Sequence, residues 1–436
     1  MRILVVAEHY PWPAVDGIRQ RLDHVVRGLA RAGEVELLAI DRRDADERAA
    51  TVEPVVPGLV DVGAIEARPD ASVREWLPGW VRGGPPRRLA GADWSEVAAA
   101  FRRRLAATDQ PPIDLIWFSH VDSWWPVRDV AHGAASIVDY YDLIDLALRL
   151  RRRTPPHFAP GASAGARAST VGRWAVSRGF DLVDARRWTL VQRACAAHVD
   201  TVTVCSELDR RRLALAHVAV IGNGSERPER VQADRTELRG AAPVFLFVGA
   251  LDYEPNADAV EWFVRSVLPQ VRAQVPDVRL RVVGRGAERV AWVGDQPGVD
   301  LVGRVPDIAV ELAATDVSIV PIRVGAGTRL KVVEALANRL PLVTTTVGCE
   351  GIDVADGEHA LIRDDERGFA AACVEAARDG ELRQRLADAG AQLFAERYDW
   401  DIIERRVAEL AADVVRGSTD DDPPEDQDRS RSTAGE

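Results

Sequence analysis

Lysine is almost missing from this chain. Of 56 basic side chains only one, Lys331, is not an arginine. An ammonium is a compact point charge, whereas a guanidinium presents a wide planar fork, so the single exception is worth locating. Cysteine is scarce as well. The four present (Cys195, Cys205, Cys349 and Cys373) form no C-x-x-C pair, which argues against a zinc knuckle or a disulfide framework and leaves each as a small core hydrophobe. No apolar run reaches the ~20 residues of a transmembrane helix. The N-terminus enters a strand without the charged lead and long apolar segment of a signal peptide, so a cytoplasmic protein is expected. The net charge is −12, and removing the seven acids and two bases of Asp420–Glu436 leaves −7. That balance speaks against a general nucleic-acid binder.

What is present is ordinary globular composition, with 47% hydrophobic and 28% charged residues. At 436 residues the chain exceeds what one hydrophobic core holds, so two domains are expected. The densest pattern runs from Pro321 to Gly351. The apolar run Val317–Pro321 predicts a buried strand, Gly325 and Gly327 bracket a turn, and Leu330 to Leu336 predicts the first turns of a helix. Strand, glycine turn and helix start together make an anion site, because unpaired backbone N–H groups and the positive end of the helix dipole face whatever sits there. Lys331 falls inside that turn, and Glu334 on the following turn could accept hydrogen bonds from a ligand hydroxyl. The competing reading puts Lys331 on a solvated helix face. A second strand, Leu340–Thr345, leads to another tight loop with Gly348 and Gly351 around Glu350.

At these residues the sequence resembles a known family. The block G-x-G-T-R-L-K-x-x-E-A-L-A, followed by P-L-V-T-T-x-x-G-x-E-G, is similar to the donor site of GT-B glycosyltransferases of the family 4 type. The usual family pattern separates two glutamates by seven residues; here the second is Glu334 and the first position is Ala326. Gly249 to Phe263, G-A-L-D-Y-E-P-N-A-D-A-V-E-W-F, resembles the signature of one branch of that family. Relatives outside the branch carry an arginine and a lysine here to grip a diphosphate. Ala250 and Glu254 stand in that region, so the resemblance passes the task to Lys331, with Arg329 or Arg323 as secondary candidates. Asn256 is a candidate helix cap. The strand ending at Gly284 and the loop Gly303-Arg304-Val305 resemble segments that meet the nucleotide base. A dinucleotide fingerprint is not completed, since no third glycine stands at Arg289.

The first half opens with a β-α-β pattern: strand Arg2–Ala7, a loop from Glu8 to Gly17, a helix from Ile18 to Ala32 and a strand Val35–Ile40. By resemblance this loop helps to seat an acceptor, which makes Asp16, Gly17 and Arg19 candidates; an exposed turn with helix-cap charges explains them equally well. Residues 41 to 110 show little periodicity apart from Trp76-Leu77-Pro78-Gly79-Trp80, read as a loop over a cleft, a membrane-facing patch or ordinary packing. His120 follows strand Ile113–Ser119, at the carboxyl edge where open parallel sheets bind ligands. It would hydrogen-bond a sugar or a reacting oxygen, or be a satisfied structural histidine. Asp139 and Asp142 end the next strand and, by resemblance, face the acceptor; no third ligand makes them a metal site. Arg149 to Ala175, rich in arginine and broken by proline and glycine, is expected to be a mobile insertion or lid.

The expected architecture is α/β, two facing Rossmann-like domains (GT-B) with a C-terminal helix crossing back to the first. The boundaries are residues 1–228 for the acceptor domain, 229–240 for a linker, 241–396 for the nucleotide-sugar domain, 397–416 for the crossover helix and 417–436 for a disordered acidic tail. The resemblance implies transfer of a sugar from a nucleotide-diphosphate donor to a glycan, lipid-linked or small-molecule acceptor, with retention and with neither metal nor cofactor. Lys331, Glu350 and His120 would act at the reacting centre. Gly249, Gly284, Gly303, Arg304, Gly325, Gly327, Thr328, Arg329 and Glu334 would hold the donor, and Asp16, Gly17, Arg19, Asp139 and Asp142 the acceptor. A non-catalytic nucleotide-sugar-binding scaffold and a sugar-nucleotide epimerase of the same fold remain as alternatives, and a peripheral contact at the inner face of a membrane stays open.

Overall fold

The computed structural model describes residues 1–420 apart from 52–54, 67–70, 153, 155, 157, 159–162, 230, 232–233, 239 and 241. Its first sheet holds seven strands: β1 (Arg2–Ala7), β2 (Glu34–Asp41), β3 (Leu59–Glu66), β4 (Leu115–Phe118), β5 (Ala135–Tyr140), β6 (Thr201–Val204) and β7 (Val218–Val220). The second holds six: β8 (Val244–Val248), β9 (Arg279–Val283), β10 (Val299–Gly303), β11 (Val317–Val320), β12 (Leu342–Thr344) and β13 (Leu361–Ile362). The orders are β3-β2-β1-β4-β5-β6-β7 and β10-β9-β8-β11-β12-β13. Every paired strand is parallel to its neighbours.

Each order reverses direction at its first strand, between β1 and β4 and again between β8 and β11. Connections leave to opposite faces at such a point, opening a crevice at the strands' carboxyl ends. The central strands are largely apolar, as sheets covered on both faces require; β4 and β11 are buried at every position. The helix Trp400–Asp420 returns to the first lobe, where Trp400, Ile403, Val407 and Ala411 pack with Leu22, Val25, Val26 and Leu29 of the helix Gly17–Ala32.

Three expectations need correction. Residues 41 to 110 hold β3 and helices Val73–Val81, Arg87–Gly91 and Ser95–Ala106. β3 is an edge strand with no buried residue, so little alternation was imposed on its sequence. Trp76 and Trp80 lie on a helix; both meet Phe180, and Trp80 Nε1 donates to Asp184 at 2.7 Å, so they pack helix on helix. Much of the expected lid is helical, since Ala164 opens a 33-residue helix to Ala196 capped by Ser163. Gly165, Gly172 and Gly179 sit in it with nothing near their Cα hydrogens; each costs about 1 kcal/mol against alanine, which a long alanine- and arginine-rich helix can offset. The last helix runs to Asp420, past its expected end at residue 416, and 421–436 lie outside the described residues. Among the described residues no helix is long and apolar enough to cross a membrane.

Candidate active site

A cleft of about 680 Å³ lies between the lobes at the switch point of the second sheet. Its second-lobe wall comes from the end of β8 (Val248, Gly249, Ala250), the turn after β11 (Ile322, Ala326, Gly327, Thr328, Arg329) and the helix Leu330–Ala337. Its first-lobe wall comes from Asp16, Gly17 and Ile18 after β1, and from Tyr141 and Asp142 after β5. Gly327 adopts φ +81°, which puts the chain through the left-handed region just before the helix begins. Arg329 at the helix start offers no side-chain cap, so the first-turn N–H groups keep their capacity for an anion.

Three cations line this wall: Arg285 is exposed and pairs with Asp252 at 2.9 Å, whereas Lys331 and Arg329 are sheltered. Lys331 Nζ donates to Asn256 Oδ1 at 2.7 Å and lies 5.0 Å from the centre of the Phe247 ring. A Cβ on Gly249 would fall 3.0 Å from that Nζ and 2.8 Å from Asn256 Nδ2, so only glycine lets the pair close over the end of β8. Burial, and after it the charge of Arg329, pull the Lys331 ammonium down to about 7. Arg329 is 9% exposed and donates to the carbonyls of Ala326 and Gly327, while its Nη2 finds no partner. Neither sheltered cation has a carboxylate within ion-pairing distance among the described residues, although Glu334 lines the same cleft with its carboxyl raised by burial.

Residues 242–379 match the family model described as Glycosyl transferases group 1. The chain is 24% identical to glycogen synthase of Mycobacterium tuberculosis over 444 residues, 97% of each chain. Sucrose-phosphate synthase from Thermosynechococcus elongatus superposes at a TM-score of 0.63 with 19% identity, over 95% of this chain and 99% of that one. Anabaena HepE in complex with UDP and glucose superposes at 0.56 with 14% identity, over 94% of this chain and 99% of that one. Residues 242–379 thus carry a group 1 glycosyltransferase match, and the two lobes together have the GT-B fold.

Of the expected residues, Asp16, Gly17, Asp142, Gly249, Gly327, Thr328, Arg329, Lys331 and Glu334 come together on the cleft. The lobes nearly touch there: a Cβ on Gly17 would meet Leu330 Cδ1 at 2.6 Å. Asp16 also caps its helix, accepting from the N–H of Ile18 and Arg19 at 3.1 and 3.0 Å. Asp142 stays on the wall with its Oδ1 unpartnered, and burial raises its carboxyl.

The other expected residues sit elsewhere. Asp139 is 2% exposed and bound by Arg21 at 2.7 and 2.8 Å and by the Thr203 hydroxyl at 2.7 Å, so its charge is committed inside the first lobe. Arg19 is drawn to Asp16 at 3.7 Å and Glu47 at 3.9 Å, off the cleft wall. Glu350 pairs with Arg212 of the opposite lobe and does not line the cleft. Arg323 pairs with Asp258 at 2.7 Å over the Trp262 ring. Gly284 lies beneath the site: its Cβ would fall 1.9 Å from the Gly249 carbonyl oxygen. Gly303 accepts from the Gly284 N–H at 2.9 Å, Arg304 is exposed, and Gly325 backs onto Arg329 and Pro255; none of the three lines the cleft.

His120 is 1% exposed. Its ring lies 4.5 Å from Tyr141, with Nε2 3.4 Å from the Asp142 carbonyl and Nδ1 3.6 Å from Asp122. Burial would lower this imidazole, but Asp122 and Glu8 outweigh it and raise it. It therefore backs the cleft wall from behind Tyr141 and Asp142.

Sequence reasoning missed Asn256 as a partner of Lys331, along with Arg21, Tyr141, Tyr253, Asn223 and Arg285, which also line the cleft. Asn256 is not a cap but lies inside the helix Glu254–Trp262, donating to the Ala250 carbonyl at 2.8 Å. A short polar side chain in the first turn of the helix that follows the glycine ending β8 was the available signal.

Proposed function

We propose that this glycosyltransferase seats a nucleoside diphosphate sugar on its second lobe and transfers the sugar to an acceptor on its first, with retention at the anomeric carbon and without a metal. The observation that carries the reading is the pair Lys331 and Arg329, two sheltered cations with no carboxylate partner among the described residues, beside an uncapped helix start. A sheltered cation left without an anion is costly, and a diphosphate supplies the missing charge.

As the glycosidic bond breaks, negative charge builds on the leaving diphosphate. The Lys331 ammonium, the Arg329 guanidinium and the amides of Gly327 and Thr328 would stabilise it from fixed positions, the task a divalent metal performs in other transferases. Glu334, one turn further along the helix, would accept from the ribose hydroxyls. Asp16 and Asp142 would face the acceptor across the cleft. The UDP and glucose bound by the structurally similar HepE make a UDP-sugar the first donor to try.

The test is nucleotide binding by calorimetry with UDP, GDP and ADP, followed by turnover of the matching sugar donors with and without a chelator. Proton NMR of the product then reads the anomeric configuration. Micromolar binding of one nucleotide, chelator-resistant transfer and a retained configuration are expected. Failure of all three nucleotides to bind would overturn the reading, and conversion of the donor with no acceptor present would replace transfer by epimerisation.

A further inference from the structure

Two stretches of chain join the lobes. One leaves β7 through Gly224, Ser225 and Glu226; the other returns through Tyr398 and Asp399 into the helix Trp400–Asp420. They are zipped together. The Ser225 N–H donates to the Tyr398 carbonyl at 3.0 Å, and the Trp400 N–H to the Ser225 carbonyl at 3.4 Å. Gly224 has no room for a side chain, since a Cβ there would meet Trp400 Cδ2 at 2.7 Å and the Tyr398 carbonyl oxygen at 2.8 Å.

His24, on the first-lobe helix Gly17–Ala32, holds both stretches. Its Nε2 lies 3.2 Å from Glu226 on the outgoing one and its Nδ1 2.8 Å from Glu404 just past the returning one. Its ring stacks on Trp400, with centroids 4.1 Å apart. The charged groups around it have partners of their own. On its own helix Asp23 takes Arg27 at 3.0 Å and the Trp12 indole N–H at 2.8 Å, while Arg31 reaches Asp401 at 3.0 Å and also Glu404. On the connections Arg227 donates to Asp399 at 3.1 Å. Carboxylates and guanidinium groups keep their charge from pH 5 to pH 9, so the imidazole is the member of this cluster that titrates there.

The ring can donate to two carboxylates only as imidazolium. A neutral imidazole has one N–H, and its second nitrogen would turn a lone pair toward a carboxylate. Glu404 is 6% exposed, whereas the Glu226 side chain is 79% exposed and borders an open cavity of about 680 Å³. Loss of the proton therefore releases Glu226 to water and keeps Glu404. Burial would lower this imidazole, but the hydrogen bonds to Glu226 and Glu404 outweigh it and put the release above the ordinary 6.5.

We infer that the proton on His24 is a catch on the movement of the two lobes. With it, both connections are tied to the first lobe, and Gly17 stays against Leu330 while Arg178 reaches Glu254 at 3.4 Å across the cleft. Without it, the outgoing connection is free of the first lobe, the zipped pair swings about Trp400, and a wider cleft gains population. This does not depend on which donor or acceptor the cleft takes.

The test is double electron–electron resonance on full-length, nucleotide-free protein, with spin labels at Arg186→Cys in the first lobe and Arg304→Cys in the second. Both positions are exposed, and the four native cysteines are buried. From pH 5.5 to pH 9 the ratio of wide to narrow forms in the parent should rise about tenfold, the factor carried by one hydrogen bond to a charged group. His24→Phe keeps the stacked ring without its N–H groups and should be wide at both pH values. Glu226→Gln, whose amide can donate to the bare ring nitrogen, should stay narrow at both. Lys331→Met should follow the parent, because the cleft lysine also titrates, at about 7. Circular dichroism checks that each variant is folded; should His24→Phe not fold, Glu226→Gln decides, since it alters a largely exposed side chain. A parent with one distance at every pH overturns the inference, as does a His24→Phe or Glu226→Gln protein that keeps the parent's shift. Loss of the shift in Lys331→Met overturns it as well and moves the response to the cleft.

Discussion

Lys331 Nζ donates to Asn256 Oδ1 at 2.7 Å, and the same amide group donates to the Ala250 carbonyl at 2.8 Å. The ammonium is thus fixed to the loop that ends β8, although it belongs to the helix that follows β11. Its pKa of about 7 makes the donor site sensitive to pH. Below that value Lys331 is charged and can meet a diphosphate; above it the free protein holds a neutral amine. Bound diphosphate favours the charged form, so nucleotide affinity should fall as pH rises through about 7 and beyond. Calorimetry at pH 6 and pH 9 should show weaker binding at the higher pH, and Lys331→Met should bind poorly at both. Asn256→Ala should cost about 1.5–3 kcal/mol of nucleotide binding, the range for a hydrogen bond to a charged group. A Lys331→Met protein that keeps the parent's pH profile would remove the ammonium from the site.

Two glycines at neighbouring strand ends should behave differently. Gly249→Ala puts its Cβ against side-chain atoms of Asn256 and Lys331, which can shift. Nucleotide affinity should drop tenfold or more while the melting temperature moves by only a few degrees. Gly284 has φ +153° and no room, since its Cβ would meet the Gly249 carbonyl oxygen at 1.9 Å. Gly284→Ala should fail to accumulate as folded protein. Equal solubility and melting of the two variants would contradict this division.

Asp139 should prove a stability residue. Arg21 and Asp139 are each 2% exposed, and Arg21 also donates to the Asn223 side chain and the Ile221 carbonyl, tying the helix after β1 to β5 and to the chain leaving β7. Removing one partner leaves a buried charge alone, at about 3–5 kcal/mol. Asp139→Asn should lower the unfolding free energy read from a urea titration by that amount, with Arg21 intact, and the midpoint should fall with it. A variant that keeps its midpoint and loses only acceptor affinity would return Asp139 to the acceptor site.

The contrast between Asp139 and Lys331 shows what was legible in the sequence. Lys331 could be singled out because its surroundings are local: glycine turn, helix start and charge lie within a few consecutive residues. The partner of Asp139 stands 118 residues away, and no pattern near the aspartate foretold it. The same division holds for the fold. Central strands such as β4 and β8 are apolar because both faces are covered, and such runs are readable. β3, with no fully buried position, left no such trace. Arg149 to Ala175 misled because glycine and arginine suggest a loop, while Ser163 supplied a helix cap that went unread. His120, expected at a reacting centre, is enclosed by Tyr141 and Asp122, and enclosure by side chains from other segments is a tertiary fact.

His24 ties the returning C-terminal helix to the first lobe, and its protonation should set how firmly. Its ring stacks on Trp400 at 4.1 Å, with Nδ1 2.8 Å from Glu404 and Nε2 3.2 Å from Glu226. Burial alone would lower this imidazole, but the hydrogen bonds to Glu226 and Glu404 raise it above the ordinary 6.5. A histidine raised on folding contributes stability that is complete below its unfolded value and is lost as pH rises through its folded value. Thermal unfolding of the parent and of His24→Gln, compared from pH 5 to pH 9, should therefore differ most at pH 5 and converge at the alkaline end. The gap at pH 5 should be about 1.5 kcal/mol, the low end for charged hydrogen bonds, because Glu226 is largely exposed. A gap that widens with pH would reverse the sign and show that the neutral ring is the form the fold prefers.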